Sequence, residues 1–172
     1  IFPQWAADLG LMSQRGPVYH FFNAVARYQY SVADVIGVQT AGNLDYFSNW
    51  SSAVEKRLEV LQNWLFDSPI SRCSICLDHT KLAGRKIFVY AGNMGIAQGV
   101  DSFINLAALL QNRMDIGFVF VGRGSELRKL NDLVLRRSLD NVLFFDEIHP
   151  DEIPGLYSQC TIGLVALDPR HK

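Results

Sequence analysis

The segment Lys86-Ile87-Phe88-Val89-Tyr90-Ala91-Gly92-Asn93-Met94-Gly95-Ile96-Ala97-Gln98-Gly99 is an apolar run that breaks into three glycines and then takes on helical character. A strand covered on both faces of a parallel sheet reads as a continuous apolar run. Small residues at its carboxyl end let backbone N–H groups and the start of the next helix approach an anion. The segment therefore reads as strand, phosphate-cradling loop and helix, a unit suited to nucleotide chemistry.

The same alternation continues downstream. Strands are expected at Ile87 to Ala91, Ile116 to Val121, Val142 to Phe145 and Thr161 to Leu167, with helices at Val100 to Gln111, Ser125 to Arg137 and Asp151 to Ser158. Strands alternating with helices require parallel pairing through right-handed crossovers, so residues 86–172 are expected to form a doubly wound α/β sheet. Upstream, strands are expected at Asp34 to Thr40 and Leu58 to Leu61, with helices at Tyr19 to Ala33 and Asn43 to Arg57. Between the two halves, residues 68–85 lose periodicity and read as a linker. The expected division is 1–67, 68–85 and 86–172.

Composition removes several classes of function. Across 172 residues, 49% are hydrophobic, 19% are charged and the net charge is −1, an ordinary globular balance without the basic surplus of a nucleic-acid binder. No apolar run approaches the roughly 20 residues that span a bilayer. Cys73 and Cys76 form a Cys-x-x-Cys pair near His79, but no second pair completes a zinc set and no strand-to-helix context marks a redox motif. They read as reduced thiols, and Cys160 as a packing residue. No metal or cofactor is expected.

In a doubly wound sheet, ligands gather outside the carboxyl ends of the strands. Three loops qualify: Gly92 to Gly99, Gly122-Arg123-Gly124, and Asp146 to Pro150. Gly122 and Gly124 suit close backbone approach, and Arg123 between them can meet a phosphate or face water. A nicotinamide-type Gly-x-Gly-x-x-Gly turn is not matched, because Gly92, Gly95 and Gly99 are spaced differently. His149 is a candidate for a phosphate or ribose contact, and Glu147 and Glu152 for a ribose contact or a helix cap. Asp151 reads as a helix-terminal carboxylate. The cluster Trp5, Leu9, Leu11, Met12, Phe21 and Phe22 reads as core rather than as an interfacial helix, because only Arg15 and Arg27 lie nearby.

Several pieces in register resemble one family. Tyr90-Ala91-Gly92-Asn93-Met94-Gly95 with Gln98-Gly99, then Phe118 to Gly124, Asn141-Val142-Leu143-Phe144, and Asp151-Glu152-Ile153-Pro154-Gly155-Leu156-Tyr157 follow the order of the retaining glycosyltransferases of family 4. The amino half, through Ile1-Phe2-Pro3, Ala33 to Val38 and Val60 to Trp64, is similar to the colanic-acid and O-antigen (fucosaminyltransferase-type) branch.

The resemblance implies a two-domain GT-B architecture with Rossmann-like halves. Residues 1–67 would be the end of the acceptor-side domain and residues 86–172 the first part of the donor-side domain. It further implies transfer of a sugar from a nucleotide diphosphate, usually UDP, to a glycan or polyprenyl-diphosphate-linked acceptor with retained configuration. The donor contacts it implies are Gly92, Asn93, Met94, Gly95, Gln98, Gly122, Arg123, Gly124 and Ile148, the last through its main chain. A cytoplasmic location, in peripheral contact with the inner face of a membrane, follows from such an acceptor.

The chain departs from the family pattern where it matters electrostatically. Asn93 and Gln98 stand where many members carry an Arg and a Lys, and Asp146 stands where a Gly is usual. Charge-assisted bonds are about twice as strong as neutral ones, so two amides orient a diphosphate more than they neutralise it. The family's acidic donor-sugar motif and acceptor-domain histidine would lie outside residues 1–172. The chain alone is therefore expected to be inactive, and no catalytic residue is assigned within it. Two other readings of the same segments are a catalytically inert nucleotide-sugar-binding module and a GT-B-type sugar-nucleotide epimerase.

Overall fold

The computed structural model describes residues 2–47, 56–63 and 69–166. The chain forms two compact units, Ile1–Phe66 and Asp67–Pro169.

In the second unit four parallel strands run in the order β5-β4-β3-β6, with β3 at Lys86–Ala91, β4 at Ile116–Val121, β5 at Val142–Phe145 and β6 at Ile162–Gly163. Every residue of β4 is buried, which explains its unbroken apolar sequence. Strand alternation sends its side chains to two different cores. Phe118 and Phe120 face a core with Ile104 and Ala107 of α3 (Asp101–Leu109) and Leu130 of α4 (Leu127–Arg136). Val119 and Val121 face the opposite side, against Ile75, Leu77, Leu82 and Leu156 of α5 (Ile153–Tyr157). The sheet is thus covered on both faces, and the doubly wound α/β expectation holds.

Residues 69–85, read from sequence as a linker, form part of this second unit. Ile75, Leu77 and Leu82 are buried in its core, and Leu77–His79 makes a single 3-10 turn. Gln159 fastens the segment by accepting from the Leu77 amide at 2.9 Å and donating to the Ile75 carbonyl at 2.9 Å.

The carboxyl end of the unit is less regular than its sequence suggests. The expected helix from Asp151 begins as a 3-10 turn over Pro150–Glu152 and becomes α-helical only over Ile153–Tyr157. His149, not Asp151, is the capping residue, its Nδ1 accepting from the Asp151 amide at 3.4 Å. β6 pairs over two residues rather than the expected seven from Thr161 to Leu167; Leu167 and His171 lie outside the described residues.

In the first unit a two-stranded parallel ribbon pairs β1 (Val35–Val38) with β2 (Arg57–Val60) in the register Val35 to Arg57. A short helix α1 (Gln4–Asp8) precedes α2 (Pro17–Val32), which opens with Pro17 in the first turn, where its missing N–H is no loss. The expected helix from Asn43 is a 3-10 stretch, Ala41–Phe47, and residues 48–55 lie outside the described residues. The core of this unit is small, formed by Ile36, Val38 and Phe47 with Tyr30, Leu44 and Leu58 against it. It does not absorb the amino-terminal aromatics: Trp5, Leu11 and Phe21, read as core from sequence, are exposed at 46%, 59% and 64%. Leu9, Met12 and Phe22 are half-buried, and Phe22 meets Phe2 edge to face at 5.1 Å.

Candidate functional site

The carboxyl ends of β3, β4 and β5 open into a cavity of about 350 Å³. Ala91, Gly92 and Asn93 line it from β3 and its loop; Val121, Gly122 and Arg123 from β4; and Glu147, Ile148, Pro150 and Ile153 from the segment after β5. The volume lies within the range of small-molecule sites, and the mixture of aliphatic wall and few polar groups suits a ligand with one flat, weakly polar part and one charged part.

The three loops are tied to one another by backbone bonds that prolong the sheet. The Gly92 amide donates to the Val121 carbonyl at 2.9 Å, Met94 to Arg123 at 2.7 Å, and Gly122 to Phe145 at 3.2 Å. This contact is close enough to exclude side chains. A Cβ on Gly122 would lie 2.1 Å from the Gly92 carbonyl oxygen, and one on Gly124 would lie 2.3 Å from the Met94 backbone. Both residues also have positive φ, +136° and +155°, where L side chains are strained. Their small size thus serves the approach of one loop to another, where the sequence suggested approach to a ligand.

Along the first loop, the bend from Gly92 to Gly99 holds only a 3-10 turn, Ile96–Gln98, before α3. Tyr90, the penultimate residue of β3, supports it by donating its hydroxyl proton to the Asn93 carbonyl at 2.6 Å. Burial raises the Tyr90 pKa, which keeps that proton in place. The amides of Asn93, Gly95, Ile96 and Ala97 make no hydrogen bond to the described residues, so the bend keeps backbone donors free. Above Gly95, the Asn93 amide nitrogen approaches the Gln98 oxygen at 3.5 Å.

The candidate residues therefore separate. Gly92, Asn93, Gly122, Arg123 and Ile148 line the cavity. Met94, Gly95, Gln98 and Gly124 do not, and the Met94 side chain is fully buried in the core beneath. Met94 acts instead through its backbone, its carbonyl accepting from the Glu126 amide at 3.0 Å at the entry to α4. Periodicity could not show this, because a loop methionine pointing inward looks the same in sequence as one pointing out. His149 also lies off the cavity wall, exposed, its Nδ1 engaged by the Asp151 amide. Glu152 is committed elsewhere: it accepts from the Ser74 amide at 2.6 Å, and the bonds from Ser74 lower its pKa.

Among the described residues two charged side chains line the cavity, and they face each other. Arg123 Nε lies 3.1 Å from one oxygen of Glu147, and its Nη1 lies 3.3 Å from the other. Among the described residues no group of three or more His, Cys, Asp or Glu is placed to hold a metal ion. Cys76 is exposed, while Cys73 and Cys160 pack against the core, where burial lifts the Cys160 thiol to about 11.

Comparison with known proteins places this geometry. The model of the family described as glycosyl transferases group 1 matches residues 78–167. A protein of Escherichia coli (strain K12) named as a colanic acid biosynthesis glycosyl transferase, WcaI, is 28% identical over 92% of this chain and 37% of its own length. One of Pseudomonas aeruginosa named as a glycosyltransferase, WbjE, is 24% identical over 98% of the chain and 42% of its own length. The chain thus spans about two-fifths of these curated relatives. Among solved structures, Anabaena Alr3699/HepE in complex with UDP and glucose has a TM-score of 0.70 at 17% identity, over 92% of this chain and 43% of that one. WaaG, a glycosyltransferase involved in lipopolysaccharide biosynthesis, has 0.63 at 16% identity, over 90% and 44%. These structural likenesses carry the fold.

Proposed function

Because the chain belongs to the group 1 glycosyl transferases, we propose that the cavity at the ends of β3, β4 and β5 takes the nucleoside diphosphate of a sugar donor. The whole protein then transfers that sugar, with retained configuration, to a glycan or polyprenyl-diphosphate-linked acceptor in cell-surface polysaccharide or lipopolysaccharide synthesis. The observation that carries the reading is the bend after β3, where Asn93, whose backbone amide makes no hydrogen bond to the described residues, lines the same cavity as the aliphatic Ile148, Pro150 and Ile153.

The chemistry supports it. Breaking the bond between a sugar and a diphosphate builds negative charge on the leaving group, which oriented N–H donors stabilise without rearranging. Gly92 and Asn93 line the cavity on one side and Ile148, Pro150 and Ile153 on the other, a span suited to phosphate at the first and base at the second. The base would meet the main chain at Ile148. UDP is the proposed nucleotide, and no separate cofactor or metal is invoked. Residues 1–67 take the acceptor side and residues 86–172 the donor side in this reading. Action at the cytoplasmic face of a membrane, by peripheral contact, follows from a lipid-linked acceptor; among the described residues no helix is long and apolar enough to cross a membrane.

The test is thermal-shift titration of the chain with UDP, GDP and NAD. A ligand that binds only the folded state stabilises it by about 2.7 kcal/mol when present at about 100 times its Kd. Stabilisation by UDP above NAD supports the reading, and equal, negligible shifts with all three overturn it.

A further inference from the structure

We propose that Glu147 competes with the diphosphate of a bound donor for Arg123, so that this carboxylate sets how strongly the cavity discriminates a nucleoside diphosphate from a nucleoside. The inference rests on the reading that the cavity takes a nucleotide.

Among the described residues, Arg123 is the one cation on the cavity wall and Glu147 the one anion. The backbone leaves Arg123 little choice of position, because Gly122 and Gly124 on either side are clamped against the Gly92 and Met94 backbone and its own carbonyl accepts from the Met94 amide at 2.7 Å. The Glu147 carboxylate lies against the guanidinium, one oxygen accepting from Nη1 at 3.3 Å and the other in ionic contact with Nε at 3.1 Å. Through Nη1 and its charge it claims part of the same guanidinium that would recognise a phosphate, leaving the Nε and Nη2 donors of the fork unengaged. An incoming diphosphate either displaces the carboxylate or takes the outer edge with a like charge close by. Both routes subtract from diphosphate binding and leave an uncharged ligand unaffected.

Both side chains are well exposed, at 79% and 57%, so the pair contributes little to folding and the exchange has a low barrier in stability. With Asn93 supplying a neutral amide on the first loop, no other cavity-lining side chain among the described residues offsets the loss. Attenuation of this kind suits a site that must release its nucleoside diphosphate after each turnover.

The test compares UDP and uridine binding by calorimetry in the wild-type chain, Glu147→Gln, Arg123→Gln and the double variant. Glu147→Gln is expected to tighten UDP about fivefold, with uridine unchanged, and the gain should shrink as ionic strength rises. Arg123→Gln is expected to weaken UDP and not uridine, and in that background Glu147→Gln should add less than about twofold. If Glu147→Gln leaves the UDP to uridine ratio unchanged, or weakens both ligands alike, the competition is refuted while the nucleotide site stands. If the wild-type chain binds neither ligand, the nucleotide reading itself fails, and this inference with it. Matching melting temperatures for all four proteins exclude misfolding as the cause.

Discussion

The carbonyl oxygen of Gly92 occupies the space that a Cβ on Gly122 would need, 2.1 Å away. The conflict is between two pieces of backbone, so no side-chain rotation relieves it. Gly122→Ala is therefore expected to cost about 2 to 5 kcal/mol, through displacement of the first loop and a strained positive φ. Gly163→Ala provides the control: nothing lies within 4 Å of its Cβ, and its effect should stay within about 0.5 kcal/mol. Chemical denaturation of both variants makes the comparison.

Gly155 in α5 carries a similar demand on the other face of the sheet. Its Cβ would lie 2.2 Å from the Ser71 carbonyl and 3.2 Å from the Cys73 amide. Gly155→Ala should lift the 71–73 segment off α5, and faster proteolysis of that segment with an intact sheet is the expected signature.

Tyr90→Phe removes the hydroxyl that holds the Asn93 carbonyl and leaves the ring in the core. Stability should fall by about 1 kcal/mol, the usual net contribution of one hydrogen bond. UDP binding should weaken about threefold as the free amides lose their fixed direction. A variant that loses stability without losing affinity would show that the loop is held by its ties to Arg123 and Val121 alone.

Asn141, a buried polar side chain of the second unit, donates to the Ala107 carbonyl at 2.8 Å and so links α3 to the start of β5. Asn141→Ala is expected to destabilise by about 1 to 3 kcal/mol, because it leaves that carbonyl without its partner. Denaturant midpoints at constant m-value would measure it.

The thiols give a pH test. Burial lifts Cys160 to about 11, from an ordinary value near 9, so the folded state holds that proton more tightly than the unfolded state. The stabilisation is complete below the unfolded value and declines as pH climbs from about 9 to about 11, since the unfolded chain binds fewer protons there. At pH 8, alkylation should reach exposed Cys76 first and Cys160 only on unfolding. Equal labelling rates in the native state would contradict the burial.

How much of this is legible in the sequence depends on how local the cause is. β3, β4 and β5 read directly, because strands covered on both faces must be apolar throughout, as Ile116 to Val121 is. α5 is shorter than its pattern because the segment opens as the 3-10 turn Pro150–Glu152 and becomes α-helical only from Ile153, a difference in hydrogen-bond spacing that apolar content does not reveal. The segment 69–85 looks like a linker because three separated aliphatic residues, Ile75, Leu77 and Leu82, have no period, yet each reaches the core. In the site, Gly92, Asn93, Gly122, Arg123 and Ile148 follow from the rule that strand ends gather ligands. The inward turn of Met94 and the pairing of Arg123 with Glu147 do not, because both depend on residues distant in sequence.

The bonds from Gly92 to Val121, Met94 to Arg123 and Gly122 to Phe145 carry the ladder past the last strand residue. Loop amides usually exchange with deuterium almost as fast as an open peptide, but these three can do so only when the sheet itself opens. The rim of the cavity is therefore set at folding, and an arriving ligand meets walls whose ordering entropy has already been spent.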